Sequence, residues 1–312
     1  MRKLFFTMLL TASLLSAQTA LGWNGAGHMT VAGVAYNNLS DSTRQRVNSL
    51  MRQHPDFTRL RQRAGVPQSH PDFGRRLFMQ FATWPDVIKS DARFFEDGAT
   101  PTTLGAGFPS MERHRGWHFI DTPFSTDGTQ TAPPPEPNAI TELPRLISEI
   151  GNASVPRNLQ AYDLAWLVHL TGDVHQPLHS ATRFTSKHGP PEGDRGGNAF
   201  TIRLSQSELT NLHSFWDALL STSINAPVVK GVATSISNEF PAESPANTTP
   251  SDWAQQSFEA AQQTAYSIGP DGTGDPTPRV TQTYRQSARR VARERGALAG
   301  YRLAAVLNER LP

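Results

Sequence analysis

Apolar residues recur every three to four positions along most of this chain, a spacing that predicts helices with one buried face. The clearest helical segments are 28–39, 40–53, 158–176, 207–220, 253–267 and 281–308. Ser40 or Asp41 can cap the second segment. Strand patterns are scarce, and the best one, 199–204, allows one short β-hairpin. We therefore predict an all-α fold, in which a single, mainly helical domain carries long loops.

The loops are marked by proline and glycine. They are predicted over 122–138, 187–198, 225–251 and 269–278. None of them reads as a linker between domains of different composition, and the chain has no internal repeat. The RGGN segment at 195–198 also lacks the length and the lysine of a phosphate-binding P-loop.

The first 22 residues have the features of a signal peptide. A basic start precedes an apolar stretch from Leu4 to Ala17, and the small residues Ala20 and Gly22 stand before the cleavage site. The stretch is too short to span a bilayer, although an uncleaved membrane anchor is the alternative. No later segment reaches transmembrane length. We predict a signal peptide over 1–22 and an exported domain over 23–312, secreted or periplasmic and without a membrane span.

Cleavage before Trp23 would free its α-amino group. An α-amine has a pKa of roughly 7.7–8, against about 10.4 for lysine, so it gives up its proton to a metal more readily. The amine nitrogen and carbonyl oxygen of one residue can close a chelate ring. The segment WNGAGH, from Trp23 to His28, is therefore a candidate half of a metal site.

Cysteine is absent, which excludes disulfides and thiolate metal sites. Lysine plus arginine is 29 and aspartate plus glutamate is 27, and two of the basic residues, Arg2 and Lys3, lie in the predicted signal peptide. A nearly neutral chain is not a nucleic-acid binder by its charge alone. Any metal must be held by histidine, carboxylate, backbone or terminal groups, a ligand set that suits zinc.

Histidine and aspartate are concentrated in LVHLTGDVHQPLH, residues 167–179. On a helix His169 and Asp173 are four positions apart and point in nearly the same direction, so they can bind one ion. Pro177 would end the helix, which lets His179 return toward the same cavity. His175 lies about 240° round the helix from His169, and we expect a structural or supporting role for it.

Three other segments add candidate ligands. NLHSFWDAL repeats the four-residue spacing with His213 and Asp217. Asp86 follows a Trp-Pro pair, where it could instead cap a helix, and His118 lies between two aromatic residues. The remaining histidines stand in polar or proline-rich contexts and are predicted to lie on the surface: His54, His70, His114 and His188.

Six segments together carry a resemblance: WNGAGH, WPD, WHFID, LVHLTGDVHQPLH, GDRGGN and NLHSFWD. Their order and spacing resemble those of the zinc-dependent, single-strand-preferring nucleases of fungi, plants and bacteria, whose distant relatives are bacterial zinc phospholipases C. The tail AGYRLAAVLN is similar to the last helix of that family, so the resemblance covers 23–312. With the signal peptide and without cysteine, the chain resembles a secreted bacterial member.

The resemblance implies a trinuclear zinc site at the base of a cleft. It implies nine ligands: Trp23, His28, Asp86, His118, His169, Asp173, His179, His213 and Asp217. One zinc would be held by Asp86, His118, His169 and Asp173. A second would share Asp173 and would bind His28 and the amine and carbonyl of Trp23. The third would be held by His179, His213 and Asp217, with open positions for water and substrate.

The resemblance also implies an activity. A hydroxide bridging the close zinc pair would attack phosphorus, the third zinc would neutralise the leaving oxygen, and no protein nucleophile would be needed. The enzyme would be an endonuclease, a monomer, that cuts RNA and single-stranded DNA to 5′-phosphates, with 3′-mononucleotides as further substrates. Phe119 would stack on a base or would simply belong to the core. Ala218 stands where fungal members carry a base-contacting asparagine, and the 180–196 loop looks long enough to admit duplexes.

Two other functions stay open. A zinc-dependent phospholipase C would share the trinuclear site, although Phe119 and the GGN segment at 196–198 favour a nuclease. A non-catalytic secreted zinc-binding protein would not need the open coordination positions of the third zinc.

Overall fold

The computed structural model describes residues 23–99, 103–242, 249–270 and 276–312; the predicted signal peptide lies outside them. The described residues form a mainly helical domain, as predicted. Its helices are α1 Gly25–Asn37, α2 Asp41–Met51, α3 Phe57–Arg63, α4 Phe73–Phe81, α5 Trp84–Ile88, α6 Ala139–Glu149, α7 Arg157–His175, α8 Leu212–Asp217, α9 Ala226–Glu239, α10 Pro250–Gln263 and α11 Gln282–Arg310. Among the described residues, no helix is both long and apolar enough to cross a membrane.

Helix α7 forms the centre of the domain. Every residue from Gln160 to His175 is buried. The helix packs against α1, α2, α4, α5, α6, α10 and α11. Because this part of the helix is enclosed, its polar residues have no access to water and must find partners inside the protein.

The long helix α11 packs closely along α1. A methyl group at Gly300 would lie only 2.5 Å from Val34 of α1, so glycine permits this approach. At its other end, α1 begins at the Asn24 side chain, which accepts from the backbone N–H of Gly27 at 2.9 Å. This packing places the first turns of α1 beside α7.

Two small sheets lie among the loops. Strands β3 (Thr201–Arg203) and β4 (Leu209–Asn211) form an antiparallel pair with Ile202 opposite Thr210, which confirms the predicted hairpin. Strands β1 (Pro123–Ser125) and β2 (Thr182–Phe184) pair in parallel, with Phe124 opposite Arg183. This second sheet was not predicted. It joins the segment after His118 to the segment after His179.

Two segments differ from the predicted pattern. Residues 207–220 are not one helix, because Leu209–Asn211 pairs with β3 and the Asn211 side chain then caps α8 by accepting from Ser214 at 2.7 Å. The predicted loop 225–251 contains helix α9, which starts at an Asn225 cap with proline in its first turn. Proline was interpreted there as a loop signal, but at a helix start it is compatible with the helix.

Candidate metal centre

Helix α7 brings His169 and Asp173 together at the centre of the protein. Both are fully buried, and Nε2 of His169 lies 3.0 Å from Oδ2 of Asp173. Nδ1 of His169 must donate to the carbonyl oxygen of Ala82, 2.7 Å away, because a carbonyl can only accept. Nε2 therefore presents a lone pair to Asp173. The four-residue spacing has the geometric result that the sequence predicted.

Asp86 and His118 reach the same place from other segments. Oδ1 of Asp86, in the first turn of α5, lies 3.7 Å from Nε2 of His169 and 4.0 Å from Nδ1 of His118. His118 ends a 3-10 turn, and its Nδ1 lies 3.0 Å from Oδ2 of Asp173. The N-cap of α5 is Thr83, so the Asp86 carboxylate faces the histidines rather than capping the helix. One group of four potential ligands results.

His28 of α1 faces the other oxygen of Asp173. Its Nε2 lies 3.2 Å from Oδ1 of Asp173, and its ring stacks on His169 at a centroid distance of 3.9 Å. Neither ring nitrogen of this buried side chain makes a hydrogen bond to a described residue. His28, Asp86 and His169 form a further group whose ligand atoms lie within 4.8 Å of one another. A buried nitrogen without a partner is costly, and a cation between Nε2 of His28 and Oδ1 of Asp173 would remove the cost at Nε2.

Trp23 lies next to this group. The side chain is fully buried, and Gly172, the neighbour of Asp173, lies against both the indole of Trp23 and Nδ1 of His28. The next residue, Asn24, donates its backbone N–H to the carbonyl oxygen of Asp217 at 3.2 Å. Trp23 is therefore enclosed between α7 and α8, the two helices that carry the paired histidines and aspartates.

His179, His213 and Asp217 form a second cluster. Nε2 of His179 and Nε2 of His213 lie 3.1 Å apart, and Nε2 of His213 lies 3.6 Å from Oδ1 of Asp217. α7 ends at His175 and a 3-10 turn over Pro177–His179 follows, so the chain does turn back as predicted. Asp173 connects the clusters, since its Oδ1 is 3.7 Å from Nδ1 of His179.

The outer nitrogens of these rings are held by backbone carbonyls. Nδ1 of His213 donates to Gly196 at 2.7 Å, and Nδ1 of His179 donates to His118. Both Nε2 atoms therefore carry lone pairs directed at each other. Two lone pairs at 3.1 Å repel unless a cation lies between them. The donor set, neutral imidazoles and carboxylates with no competing cysteine, fits zinc.

Burial favours the neutral form of the imidazoles, although at His169 the negative charges of Asp173 and Asp86 outweigh burial and raise the pKa. Burial lowers the pKa of His118 to about 3, and the charge of Lys89 adds to the effect. Burial likewise lowers the pKa of His213 to about 3, with His179 contributing. Burial opposes ionisation of Asp173, but the surrounding imidazoles, His169 foremost, hold its pKa well below its usual range. Neutral imidazole and ionised carboxylate are the forms that bind a metal.

Asp217 differs from Asp173, because its pKa is raised rather than lowered. Burial raises the pKa of this carboxyl well above its usual range, and the Gln176 amide, which donates to Oδ1 at 2.7 Å, offsets only part of the shift. A divalent cation at His179 and His213 would reverse this balance by supplying the missing positive charge.

Sequence reasoning missed two residues that contact these carboxylates. Lys89 is 8% exposed, and its Nζ lies 2.8 Å from Oδ1 of Asp86, three residues earlier on α5. Gln176 supports Asp217 as described above. The contact of Lys89 with Asp86 has a local signal, because the two residues are three positions apart in WPDVIK. The contact of Gln176 with Asp217 has no local signal, because it depends on the approach of α8 to the end of α7.

A tight turn over 194–197 supports His213. Oδ1 of the fully buried Asp194 accepts from the backbone N–H of Gly197 at 3.1 Å and from the hydroxyl of Tyr266 at 3.0 Å. Gly196 and Gly197 have φ of +60° and +81°, which only glycine adopts without strain. These contacts orient the Gly196 carbonyl that holds His213.

A cavity of about 650 Å³ opens beside the second cluster and is here called the Phe119 cavity. Its wall includes Phe119, Asp121, His179, Arg195, Asn198 and His213, together with a proline run at 133–135. Phe119 is half-buried and faces this space, so it is not enclosed in the core. Residues of the predicted long loop, Pro191 and Glu192, also line the cavity.

The remaining histidines are only partly where the sequence predicted them. His54 is 3% exposed and packs edge-on against Trp84 at 4.8 Å, so its surface assignment is wrong. His114 is also mostly buried, because its ring stacks on Trp117 at 3.8 Å. His70 and His188 are half-buried. His175 points away from the ligands, as predicted, and its Nε2 accepts from Arg302 at 2.9 Å. Aromatic neighbours distant in sequence contribute to the burial of both, Trp84 beside His54 and Trp166 at 5.4 Å from His114.

Comparison with known proteins finds a matching family. The family model described as S1/P1 nuclease matches residues 23–312. The chain is 25% identical to Nuclease S1 of Aspergillus oryzae over 222 aligned positions, which cover 66% of this chain and 57% of that protein. It is 24% identical to Endonuclease 4 of Arabidopsis thaliana over 343 aligned positions, 99% of this chain and 95% of that protein. Endonuclease 3 of Arabidopsis thaliana is 23% identical, with 93% of this chain and 89% of that protein covered.

Proposed function

We propose, from the premise that this chain belongs to the S1/P1 nuclease family, that it is a zinc-dependent endonuclease that hydrolyses RNA and single-stranded DNA to products with 5′-phosphates. Family membership makes the protein a phosphodiesterase that acts on nucleic acids. One observation carries the finer proposal: three buried groups of histidine and aspartate converge around Asp173. The 3′-phosphates of mononucleotides are proposed as further substrates.

The proposed ligands are the nine residues of the sequence prediction. Asp86, His118, His169 and Asp173 would hold one zinc, and Asp173 would also serve a second with His28 and Trp23. His179, His213 and Asp217 would hold a third. When bound, zinc would supply Lewis acidity toward phosphate oxygens and a water acidic enough to ionise near neutral pH. Three carboxylates do not neutralise three divalent cations, so the loaded centre would carry a net positive charge. This charge would attract a polyanion, whereas the nearly neutral composition of the whole chain would not.

The chain's own residues prepare this centre. The carbonyls of Ala82 and Gly196 fix the tautomers of His169 and His213, so that each presents an unprotonated Nε2. Lys89 holds Asp86 ionised through its contact at 2.8 Å. The surrounding core excludes water from the ligands, which strengthens every electrostatic contact made there.

The Phe119 cavity is the proposed site for a nucleobase. Its aromatic wall lies next to His179 and His213, so a base stacked on Phe119 would place its phosphate near the second cluster. Stacking accepts every base, which supports a low sequence preference. The exposed Ala218, which follows the proposed ligand Asp217, offers no hydrogen bond to a base from its methyl side chain.

Export is part of the proposal. Only an amine, and not the amide of an uncleaved chain, has a nitrogen lone pair to give, so Trp23 can chelate zinc only as the first residue. The family match begins at Trp23, and the residue is buried beside Gly172 and Asp173. We therefore propose removal of 1–22 and a secreted or periplasmic location.

The comparisons favour a nuclease over the other two functions. Each relative named above is called a nuclease or endonuclease, and none is called a phospholipase. The second cluster offers three ligands beside an open cavity, which is the arrangement of a catalytic zinc rather than a closed structural one.

The test is zinc content and intact mass of the exported protein, together with its activity. We expect three zinc ions per chain, a mass that starts at Trp23, and hydrolysis of RNA, single-stranded DNA and 3′-AMP that chelation abolishes and zinc restores. His213→Ala should lose one zinc and the activity, whereas His70→Ala should keep both. A zinc-loaded protein that leaves all three substrates intact would overturn the proposal.

A further inference from the structure

A second cavity meets the metal centre at Asp86 and is here called the Asp86 cavity. Its volume is about 700 Å³. The first turns of α1, the α4–α5 region and Ile224 surround it; its wall includes Gly25, Met29, Arg63, Thr83, Lys89 and Ile224. It shares no lining residue with the Phe119 cavity. The candidate metal centre therefore contributes walls to two separate cavities, one through Asp86 and one through His179 and His213.

We propose that the Asp86 cavity binds the nucleoside on the 5′-oxygen side of the scissile phosphate, an inference that rests on the proposed nuclease function. A phosphodiester carries one nucleoside on each side of its phosphorus. The cluster of His179, His213 and Asp217 is the one proposed to serve the leaving 3′-oxygen, so the adjoining Phe119 cavity receives the nucleoside that leaves. The remaining nucleoside needs a second space in contact with the centre, and the Asp86 cavity is one.

The walls of the Asp86 cavity suit a nucleotide. Ile224 is 72% exposed, which is unusual for so large an apolar side chain, and with Met29 it offers an apolar surface for a base or ribose. Ile224 loses its contact with water when such a ring covers it, whereas Met29 is only 3% exposed and adds little apolar area.

Two cations in the same walls suit phosphate. Lys89 lies at the end next to the metal centre, paired with Asp86. Arg63 is exposed, and only its Nε is engaged, donating to Gln80 at 3.0 Å. Its two terminal nitrogens make no hydrogen bond to a described residue, so they are available to the next phosphate of the strand.

The test compares two substrates on the full-length, zinc-loaded enzyme. The dinucleotide ApA has a nucleoside on each side of its phosphate, whereas 3′-AMP has only the leaving nucleoside. Ile224→Ser and Arg63→Gln should each raise the KM for a short oligonucleotide about tenfold, since one lost contact in a substrate pocket is worth roughly 10- to 200-fold. The KM of Ile224→Ser is measured with the dinucleotide ApA. The KM of Arg63→Gln is measured with a trinucleotide, because only a longer strand has the next phosphate that Arg63 would contact. Hydrolysis of 3′-AMP should not change, which also shows that the variants fold and bind zinc.

Matched controls separate this effect from a general loss of charge or apolar surface. Arg61→Gln removes an exposed arginine on the same helix as Arg63, and Val228→Ser removes another exposed apolar side chain on α9. Both should leave every KM unchanged. Arg63→Gln should also reduce the salt dependence of binding, with a slope lower by about 0.7 for one lost phosphate contact on a single strand.

The outcomes are distinguishable. Equal changes for 3′-AMP and the oligonucleotides, or no change for either, would overturn the subsite and leave the nuclease function standing. Failure of the wild-type enzyme to cleave any of them would overturn the proposed function itself.

Discussion

Gly196→Ala is the substitution whose effects the structure specifies most fully. Gly196 has φ of +60°, a conformation that costs a residue with a Cβ about 1–2 kcal/mol. The added methyl would also overlap the carbonyl oxygen of Leu178 and would lie 3.3 Å from Nδ1 of His213. Relieving such an overlap typically costs about 1–3 kcal/mol. We therefore expect the free energy of unfolding to fall by roughly 2–5 kcal/mol, or about 1 M in the urea midpoint.

The functional effect should exceed the loss of stability. The Gly196 carbonyl accepts from Nδ1 of His213 at 2.7 Å, so a shift of this carbonyl moves a proposed zinc ligand. Displacement by about 1 Å can reduce a rate about 100-fold. We expect RNA hydrolysis to fall by about that factor, with zinc content reduced by one ion per chain, under conditions in which the variant remains folded.

Gly189→Ala is the matched control, because it lies in the same loop, has no positive φ and has nothing within 4 Å of an added methyl. Urea unfolding in the presence of chelator, zinc analysis and initial rates on RNA should all leave this variant like the wild type. If Gly196→Ala matched Gly189→Ala in midpoint, zinc content and rate, the reasoning about the turn at 194–197 would be refuted.

Three further perturbations have defined outcomes. Gln176→Leu removes the donor to Asp217 and should weaken zinc binding at the second cluster roughly 10- to 100-fold in a chelator competition, with the other two ions unaffected. One residue added before Trp23 turns its amine into an amide and should leave one fewer zinc and little RNA hydrolysis; the same residue added after Pro312 should change neither. Burial lowers the pKa of His54 to about 3, so the folded state binds fewer protons than the unfolded one below pH 6.5, and stability falls as pH drops from 6.5 toward 3. In the metal-free protein, His54→Asn should reduce this acid loss by up to about 1.4 kcal/mol per pH unit in urea titrations, and an unchanged slope would contradict the burial argument.

Local patterns were sufficient for several elements. The four-residue spacing of His169 and Asp173 gives one helix face regardless of the rest of the fold, because helix geometry is the same in every protein. Pro177 ended α7 because proline cannot continue the hydrogen-bonding pattern, and Ser40, one of the two predicted caps, begins α2 by accepting from Thr43. Residues 207–211 were mispredicted, since their strand pairing depends on β3 and not on their own sequence.

Contacts between distant segments decided the rest. His54 has a polar neighbourhood in sequence but an aromatic one in space, because Phe81, Trp84 and Tyr162 come from other helices. Helix α9 has proline in its first turn, so a residue that marks loops elsewhere in the chain lies at a helix start here. The parallel pairing of β1 and β2 joins segments about 60 residues apart, and such pairings leave little local signal.

The sequence by itself determined the class of fold and the chemical types available for a metal site: helices by periodicity, and histidine and aspartate in the absence of cysteine. Tertiary structure alone decided which of these groups meet. His118 and His28 reach Asp173, and Asp86 reaches His169, from three separate segments, and their distances depend on how those segments pack on α7. The tautomers of His169 and His213 depend on carbonyls 87 and 17 residues away. Periodicity is local, whereas burial and convergence are properties of the packed whole.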